Sequence, residues 1–284
     1  MNNDPIEKKP LFHFFPGSRS LSIAAAGCNL RCDHCQNWSI SQWPRDKTGW
    51  SILPGEDALP GDVAKAAKKA GSKSISYTYT EPTIYLEYAL DVMKEARPLG
   101  LLNVFVTNGF MTPETIGLLT PFLDAANVDL KSSSDDFYKD VCGGRVEPVK
   151  EAISLLWKSG VWIEVTTLVI PDRNDSDEDL AGVAEFLAGL SRDIPWHISA
   201  FHPDYKLSDV QATPPGSIYK AIAIGKKAGL RFVYAGNMPG EDGENTFCPS
   251  CGKPVLERYG FRVSASAIRG GACMACGAIL PGRW

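Results

Sequence analysis

The nine residues Gly27-Cys28-Asn29-Leu30-Arg31-Cys32-Asp33-His34-Cys35 stand directly after an apolar, β-rich run, Ser20–Ala26. They set three cysteines at i, i+4 and i+7. With eight cysteines in 284 residues, two such further matches arise by chance roughly 0.006 times. Three thiolates from one loop can hold three irons of a [4Fe–4S] cube, because soft sulfur ligands suit iron–sulfur chemistry, and they leave the fourth iron open. The competing assignment is zinc on the three cysteines and His34, but His34 sits between Cys32 and Cys35 and would crowd such a site.

Working outward from this loop, β-rich runs and helical stretches alternate. The runs are Ser20–Ala26, Ser74–Tyr79, Leu101–Thr107, Ala125–Leu130, Trp162–Ile170, Trp196–Phe201 and Arg231–Tyr234. Several are almost unbroken in apolar character, as strands covered on both faces are. Between them, Ile84, Tyr85, Tyr88, Ala89, Val92, Met93 and Ala96 follow helical spacing. So do Val149, Ala152, Ile153 and Leu156, and Val183, Phe186, Leu187 and Leu190. Gly100 and Gly160 read as helix stops. Such repeats imply parallel strands with right-handed crossovers, and their number predicts a full or partial (β/α) barrel, with a doubly wound open sheet as the alternative. Trp38–Gly61 and His202–Gly216 carry neither period and read as long loops, the first a candidate cap over the site.

Composition bounds the function. The net charge is −4, from 29 basic and 33 acidic residues, which excludes a polyanion binder working by bulk charge. No apolar stretch reaches the length of a membrane span, and Met1–Pro10 has no apolar leader core. A cytoplasmic, non-membrane protein is the expectation. There, eight cysteines read as metal ligands rather than disulfides.

The cysteine spacing at the end of a first barrel strand resembles the radical S-adenosylmethionine (SAM) superfamily, and residues up to about 235 resemble its pyruvate formate-lyase activating enzyme branch. The resemblance implies an α/β fold, a partial (β/α)6-type TIM barrel over residues 1–240 with an N-terminal extension of about 18 residues. It also implies that Cys28, Cys32 and Cys35 ligate a [4Fe–4S] cluster and that His34 lies against the SAM adenine. In Tyr77-Thr78-Tyr79-Thr80-Glu81-Pro82, Thr80 and Glu81 stand where family members grip the methionyl ammonium, with Tyr79-Thr80 replacing two glycines. Glu81 also suits the first turn of a helix begun by Pro82. Asn108 in Thr107-Asn108-Gly109, Asp129 and Lys131 in Asp129-Leu130-Lys131, and His202 match further SAM-contacting positions. Val106 replaces the aspartate that glycyl-radical activases carry to bind a monovalent cation. His197 reads as packing, and Asp175 or Ser176 as a helix cap. The implied chemistry is reductive cleavage of SAM to a 5′-deoxyadenosyl radical that abstracts hydrogen from a substrate, with electrons from flavodoxin or ferredoxin.

Residues 241–284 read as a separate tail. Cys248-Pro-Ser-Cys251-Gly and Cys273-Met-Ala-Cys276-Gly are two CxxCG knuckles. They predict a structural zinc, with mononuclear iron as the alternative metal and a hairpin between the knuckles. Lys253, Arg258, Arg262, Arg269 and Arg283 give the tail a basic bias that would suit RNA, though a solvated surface explains it as well. Cys142 in Val-Cys-Gly-Gly-Arg stands alone and reads as a small apolar residue. Together with Phe201-His202-Pro203-Asp204-Tyr205 and the ending Pro281-Gly282-Arg283-Trp284, these features resemble the radical SAM member of the AmmeMemoRadiSam system. That implies AMMECR-like and Memo-like partners and supplies no substrate. A glycyl-radical enzyme activase and a metal-stabilised RNA- or protein-binding module are the alternative functions.

Overall fold

A computed structural model describes residues 1–42, 55–238 and 242–284. One eight-stranded sheet organises it, in the order of the chain: β1 (Asn2–Pro5), β2 (Arg19–Ile23), β3 (Ser74–Tyr77), β4 (Leu102–Thr107), β5 (Ala125–Asp129), β6 (Trp162–Val169), β7 (Trp196–Ala200) and β8 (Val233–Gly236). From β2 to β8 every pairing is parallel. Six helices cross between them: α1 (Pro60–Lys69), α2 (Leu86–Ala96), α3 (Pro113–Leu119), α4 (Val146–Lys158), α5 (Asp177–Leu190) and α6 (Pro215–Ala228). The fold is the expected partial barrel of six β/α units, with two further strands, β1 and β8, at its edges. Among the described residues no ladder joins β8 to β1, so the barrel is open there.

The helices form where an apolar stripe can be buried. On α4, Val149, Ala152, Ile153 and Leu156 are at most 1% exposed, and each of the three larger side chains contributes about 1.5–3 kcal/mol by leaving water. Ser176 caps α5 by accepting from Asp179 N–H, and Gly100 and Gly160 take left-handed φ of 72° and 82° past their helices. Helix α1 starts at Pro60, so Gly61 belongs to its first turn rather than to the preceding loop. In that loop Trp38–Ser41 forms one helical turn, while residues 43–54, half of the proposed cap, lie outside the described residues.

The N-terminal extension is built into the barrel. Strand β1 adds antiparallel to β2, with Asn2 opposite Ser22 and Pro5 opposite Arg19. Ile6, Leu11 and Phe14 then pack with Val104, Ala125 and Trp162, residues at or near the N-terminal ends of β4, β5 and β6. The backbone N–H groups of Phe12 and His13 donate to the Glu164 carboxylate at 2.9 and 2.7 Å, and His197 Nε2 lies 2.7 Å from the same carboxylate. His197 is thus packed as expected, its ring 4.7 Å from Phe12 and 5.2 Å from Tyr234, and it also joins a buried polar network.

The tail carries a three-stranded sheet, β9 (Thr246–Phe247), β10 (Pro254–Tyr259) and β11 (Arg262–Ser266), then β12 (Ile268–Arg269) paired with β13 (Ala272–Cys273). Strands β10 and β11 are the expected hairpin. The tail is sewn to the N-terminal segment by Phe15 N–H to Arg283 O and Arg283 N–H to His13 O, both at 2.7 Å. Arg258 corrects the expected basic surface. Only 6% exposed, its guanidinium donates to Phe12 O, Glu244 O and Thr246 Oγ1 and lies over the Phe12 ring. Among the described residues no helix is long and apolar enough to cross a membrane.

This seam carries a pH dependence. Burial pushes the pKa of His13 down to about 4. Its Nδ1 sits 2.7 Å from Pro281 O and its Nε2 2.6 Å from Tyr234 Oη, an arrangement a neutral ring satisfies at both nitrogens. Because the folded pKa lies below the unfolded one, the stabilisation is complete above about pH 6.5 and is lost as pH falls toward 4. We expect up to ~3 kcal/mol from this residue. Urea unfolding at pH 7.5 and 5 should show a steeper loss for the wild type than for His13→Gln; equal slopes would contradict the assignment.

Candidate active site

The strand C-termini and the cysteine loop enclose a cavity of about 300 Å³. Cys28, Cys32 and Cys35 line it together with His34, Thr80, Glu81, Asn108, Asp129 and Lys131. The fold therefore gathers around one cavity nine of the ten residues expected to hold cluster and SAM. His202 is the exception: it lies exposed and outside the cavity lining. Its neighbours meet the cysteine loop instead. Asp204 accepts from the Trp38 indole at 3.2 Å, and Lys206 pairs with Asp33 at 3.1 Å.

The loop is templated by the turn after β5. Arg31 N–H donates to Cys142 O and Asp33 N–H to Val141 O, both at 2.9 Å. Gly143, at φ 72°, lies against Arg31, where an added Cβ would come within 2.5 Å of its side chain, and a Cβ on Gly144 would meet Leu30 at 2.6 Å. These glycines let the cysteine loop lie directly on the turn. Cys142 is fully buried, and its sulfur, the Cys32 sulfur and a His34 ring nitrogen all lie within 4.8 Å of one another. Sequence reading set Cys142 aside; the adjoining glycine pair was the signal that something packs closely there.

Each expected contact residue has a defined setting. Glu81, 1% exposed, accepts from Thr83 N–H and Oγ1, Thr107 Oγ1 and Asn108 N–H at 2.5–3.1 Å. Burial still pushes its pKa up. It caps the turn begun by Pro82 while walling the cavity, so both of its expected placements coexist. Tyr79 holds φ 67°, a left-handed conformation that costs a bulky side chain ~1–3 kcal/mol. Thr80 Oγ1 donates to Ala25 O at 2.6 Å. Asn108 Nδ2 donates to Asn29 Oδ1 at 2.8 Å and lies 3.6 Å from Cys28 Sγ. Asp129 and Lys131 pair at 2.9 Å. Burial works against the Lys131 ammonium, but the Asp129 carboxylate outweighs it and holds the group charged.

The donor set fits an iron–sulfur cluster. Burial pushes the Cys28 thiol up to about 12 and the Cys35 thiol also up, so a bound cation is what would turn them into thiolates. His34 Nδ1 is buried without a hydrogen-bond partner, and the ring, stacked on Phe137 at 6.2 Å, lines the cavity. An orphaned polar atom there fits a ligand that would satisfy it. In the tail, all four cysteine sulfurs lie within 4.8 Å of one another, and Gly252 and Gly277 take φ of 71° and 75° behind the two knuckles. Four convergent thiols fit one tetrahedral metal.

The model of the radical SAM superfamily matches residues 22–187. The chain belongs to the radical SAM superfamily. Members of it use a [4Fe–4S] cluster and SAM. An uncharacterised protein of Methanocaldococcus jannaschii is 44% identical over 277 residues, 96% of this chain and 81% of that one. A pyruvate formate-lyase-activating enzyme of Streptococcus mutans is 22% identical, over 66% of this chain and 72% of its own length. In fold, the chain is similar to a crystallised domain of the pyruvate-formate lyase-activating enzyme of Bacteroides vulgatus. That match has a TM-score of 0.52 and 19% identity, and covers 58% of this chain and all of that domain.

If Cys142 only supports the loop, Cys142→Ala retains the iron; if Cys32, His34 and Cys142 formed a metal site of their own, it would lose metal. We expect anaerobically reconstituted Cys142→Ala to keep at least about four fifths of wild-type iron and sulfide, read by colorimetric assay.

Proposed function

We propose that this protein cleaves SAM reductively at a [4Fe–4S] cluster held by Cys28, Cys32 and Cys35, and removes a hydrogen atom from a substrate bound in the same cavity. The observation that carries this reading is the shared cavity, lined by three thiols of one loop and by polar groups at the ends of β3, β4 and β5. Bound there, cluster and SAM supply the reductive chemistry; the chain's own residues position the reactants and limit water. Lys131, kept charged by Asp129, suits a carboxylate; Glu81 suits an ammonium; the buried Asn108 side chain ties the cavity wall to the cysteine loop. The polar termini of β2–β6 fix these groups on rigid elements, which limits wasteful mispositioning.

The expected electron donor is a flavodoxin or ferredoxin. On the likeness of Tyr77–Pro82, Cys142–Arg145 and the C-terminal knuckles, AMMECR-like and Memo-like proteins are the proposed partners. Zinc is the proposed metal of the tail. A second reading, glycyl-radical activase, is favoured by the activating enzymes among its relatives and opposed by Val106 at the cation-binding position. The test is anaerobic reconstitution, dithionite reduction and chromatographic assay of 5′-deoxyadenosine. Product well above a metal-free control is expected; none would sink the reading.

A further inference from the structure

The N-terminal segment delivers two lysines to the cavity that the cluster and SAM assignments leave unused. Lys8 and Lys9 both line it. Lys9 is 1% exposed, with its Nζ 2.9 Å from Asp4 Oδ2 and 4.5 Å from the centre of the Tyr79 ring. Lys8 Nζ lies 3.2 Å from the other oxygen, Asp4 Oδ1. Asp4 also accepts from Ser22 Oγ at 2.8 Å and Tyr79 Oη at 2.5 Å.

Two ammonium groups therefore share one carboxylate, Lys9 buried and Lys8 half-exposed, which leaves one positive charge in excess at the cavity lining. An incoming anion would supply the missing counter-charge, and the desolvated Lys9 would attract it more strongly than an exposed lysine could. The arrangement is also held in place. Strand β1 positions Asp4 through its ladder with β2, and Tyr79 reaches Asp4 from a backbone at φ 67°. The other cation in the lining, Lys131, already has Asp129 to itself. The cysteine loop and these lysines arise from different segments, so the cavity presents two chemically distinct regions.

We propose that Lys9 and Lys8 form a receptor for an oxyanion, a carboxylate or phosphate group carried by the substrate, with Asp4 and Tyr79 as positioning residues. The substrate class is thus a small acid or phosphate ester whose anionic group anchors it at the N-terminal segment. Calling this anion the substrate's rests on the radical SAM reading; the binding site itself does not.

Calorimetric titration with inorganic phosphate and, separately, succinate tests it on the full chain. We expect millimolar or tighter binding of at least one. Phosphate alone would mark a phosphate ester, succinate alone a carboxylic acid, and either supports the receptor. Lys9→Met should weaken binding at least tenfold. Asp4→Asn removes the competing carboxylate and should strengthen it severalfold, an opposite sign that simple loss of packing would not give. The exposed Lys94→Met should change nothing, and Cys32→Ala should bind as the wild type does, so that failure of the cluster reading and failure of this one are told apart. Binding of neither anion, or binding indifferent to Lys9, overturns the proposal. So does loss of anion binding when S-adenosylhomocysteine fills the cluster-loaded protein, since the lysines would then serve the cofactor.

Discussion

Cys32→Ala is expected to lower the rate of 5′-deoxyadenosine formation by about 10³-fold or more, equivalent to ~4 kcal/mol or more of lost transition-state stabilisation. Of the three loop cysteines Cys32 is the most deeply set, 8% exposed, and it lies between two backbone hydrogen bonds that pin Arg31 and Asp33 to the Val141–Cys142 turn. Among the described residues the thiol grouped with it is Cys142, so the double variant Cys32→Ala/Cys142→Ala serves as the control for rescue by that neighbour. Bound iron should fall with activity, because two thiolates hold a cube poorly. The variant should still fold, since Cys→Ala removes a single sulfur atom from a large apolar core of which Cys32 is one small member. Circular dichroism like that of the wild type, iron near zero and no product is the expected set. Full iron with normal product formation would move the cluster away from this loop.

Cys273→Ser is expected to release the tail metal and loosen the C-terminal unit as a whole. The tail's own apolar cluster is small, Cys248, Val255, Cys273 and Leu280 with Ile268, Ala278 and Trp284 around it. So small a core would draw most of its stability from the proposed metal, whose binding in comparable four-ligand sites is worth ~10–16 kcal/mol at neutral pH. Loss of the metal should also free Arg258 and the Pro281–Arg283 strand from the N-terminal segment, exposing His13 and Phe12 at the base of the barrel. Limited proteolysis should cut residues 242–284 at least about tenfold faster than in the wild type, and bound zinc should fall from about one per chain to near zero. An unchanged cleavage rate would show that the seam, and not the metal, holds the tail.

Much of the barrel is legible in the sequence, because parallel strands covered on both faces must be apolar throughout. All seven of the expected runs are strands, displaced by three residues at most. Helices with a wide apolar face, such as α2, α4 and α5, are legible for the same reason. Helix α1 is not, since its buried face is only Val63, Ala64 and Ala67 among lysines. Strand β1 leaves no pattern either: Asn-Asn-Asp-Pro is polar, and what holds it is a backbone ladder to β2. The cysteine loop announces itself by local spacing. The support of that loop by Cys142–Gly144 depends on contacts across more than a hundred residues, and only the Gly143-Gly144 pair marks it locally. The same applies to Lys9, an ordinary basic residue of a polar terminus until the fold turns it into the cavity, and to Arg258, whose neighbours in sequence are exposed.

The central claim is that three cysteines of one loop hold iron and sulfide while four of the tail hold a different metal. Metal and acid-labile sulfide analysis of anaerobically purified, reconstituted protein tests it most directly. The account predicts about four irons, about four sulfides and about one zinc per chain, with iron and sulfide lost in Cys32→Ala and zinc lost in Cys273→Ser. Iron without sulfide, or iron that survives Cys32→Ala, would contradict it.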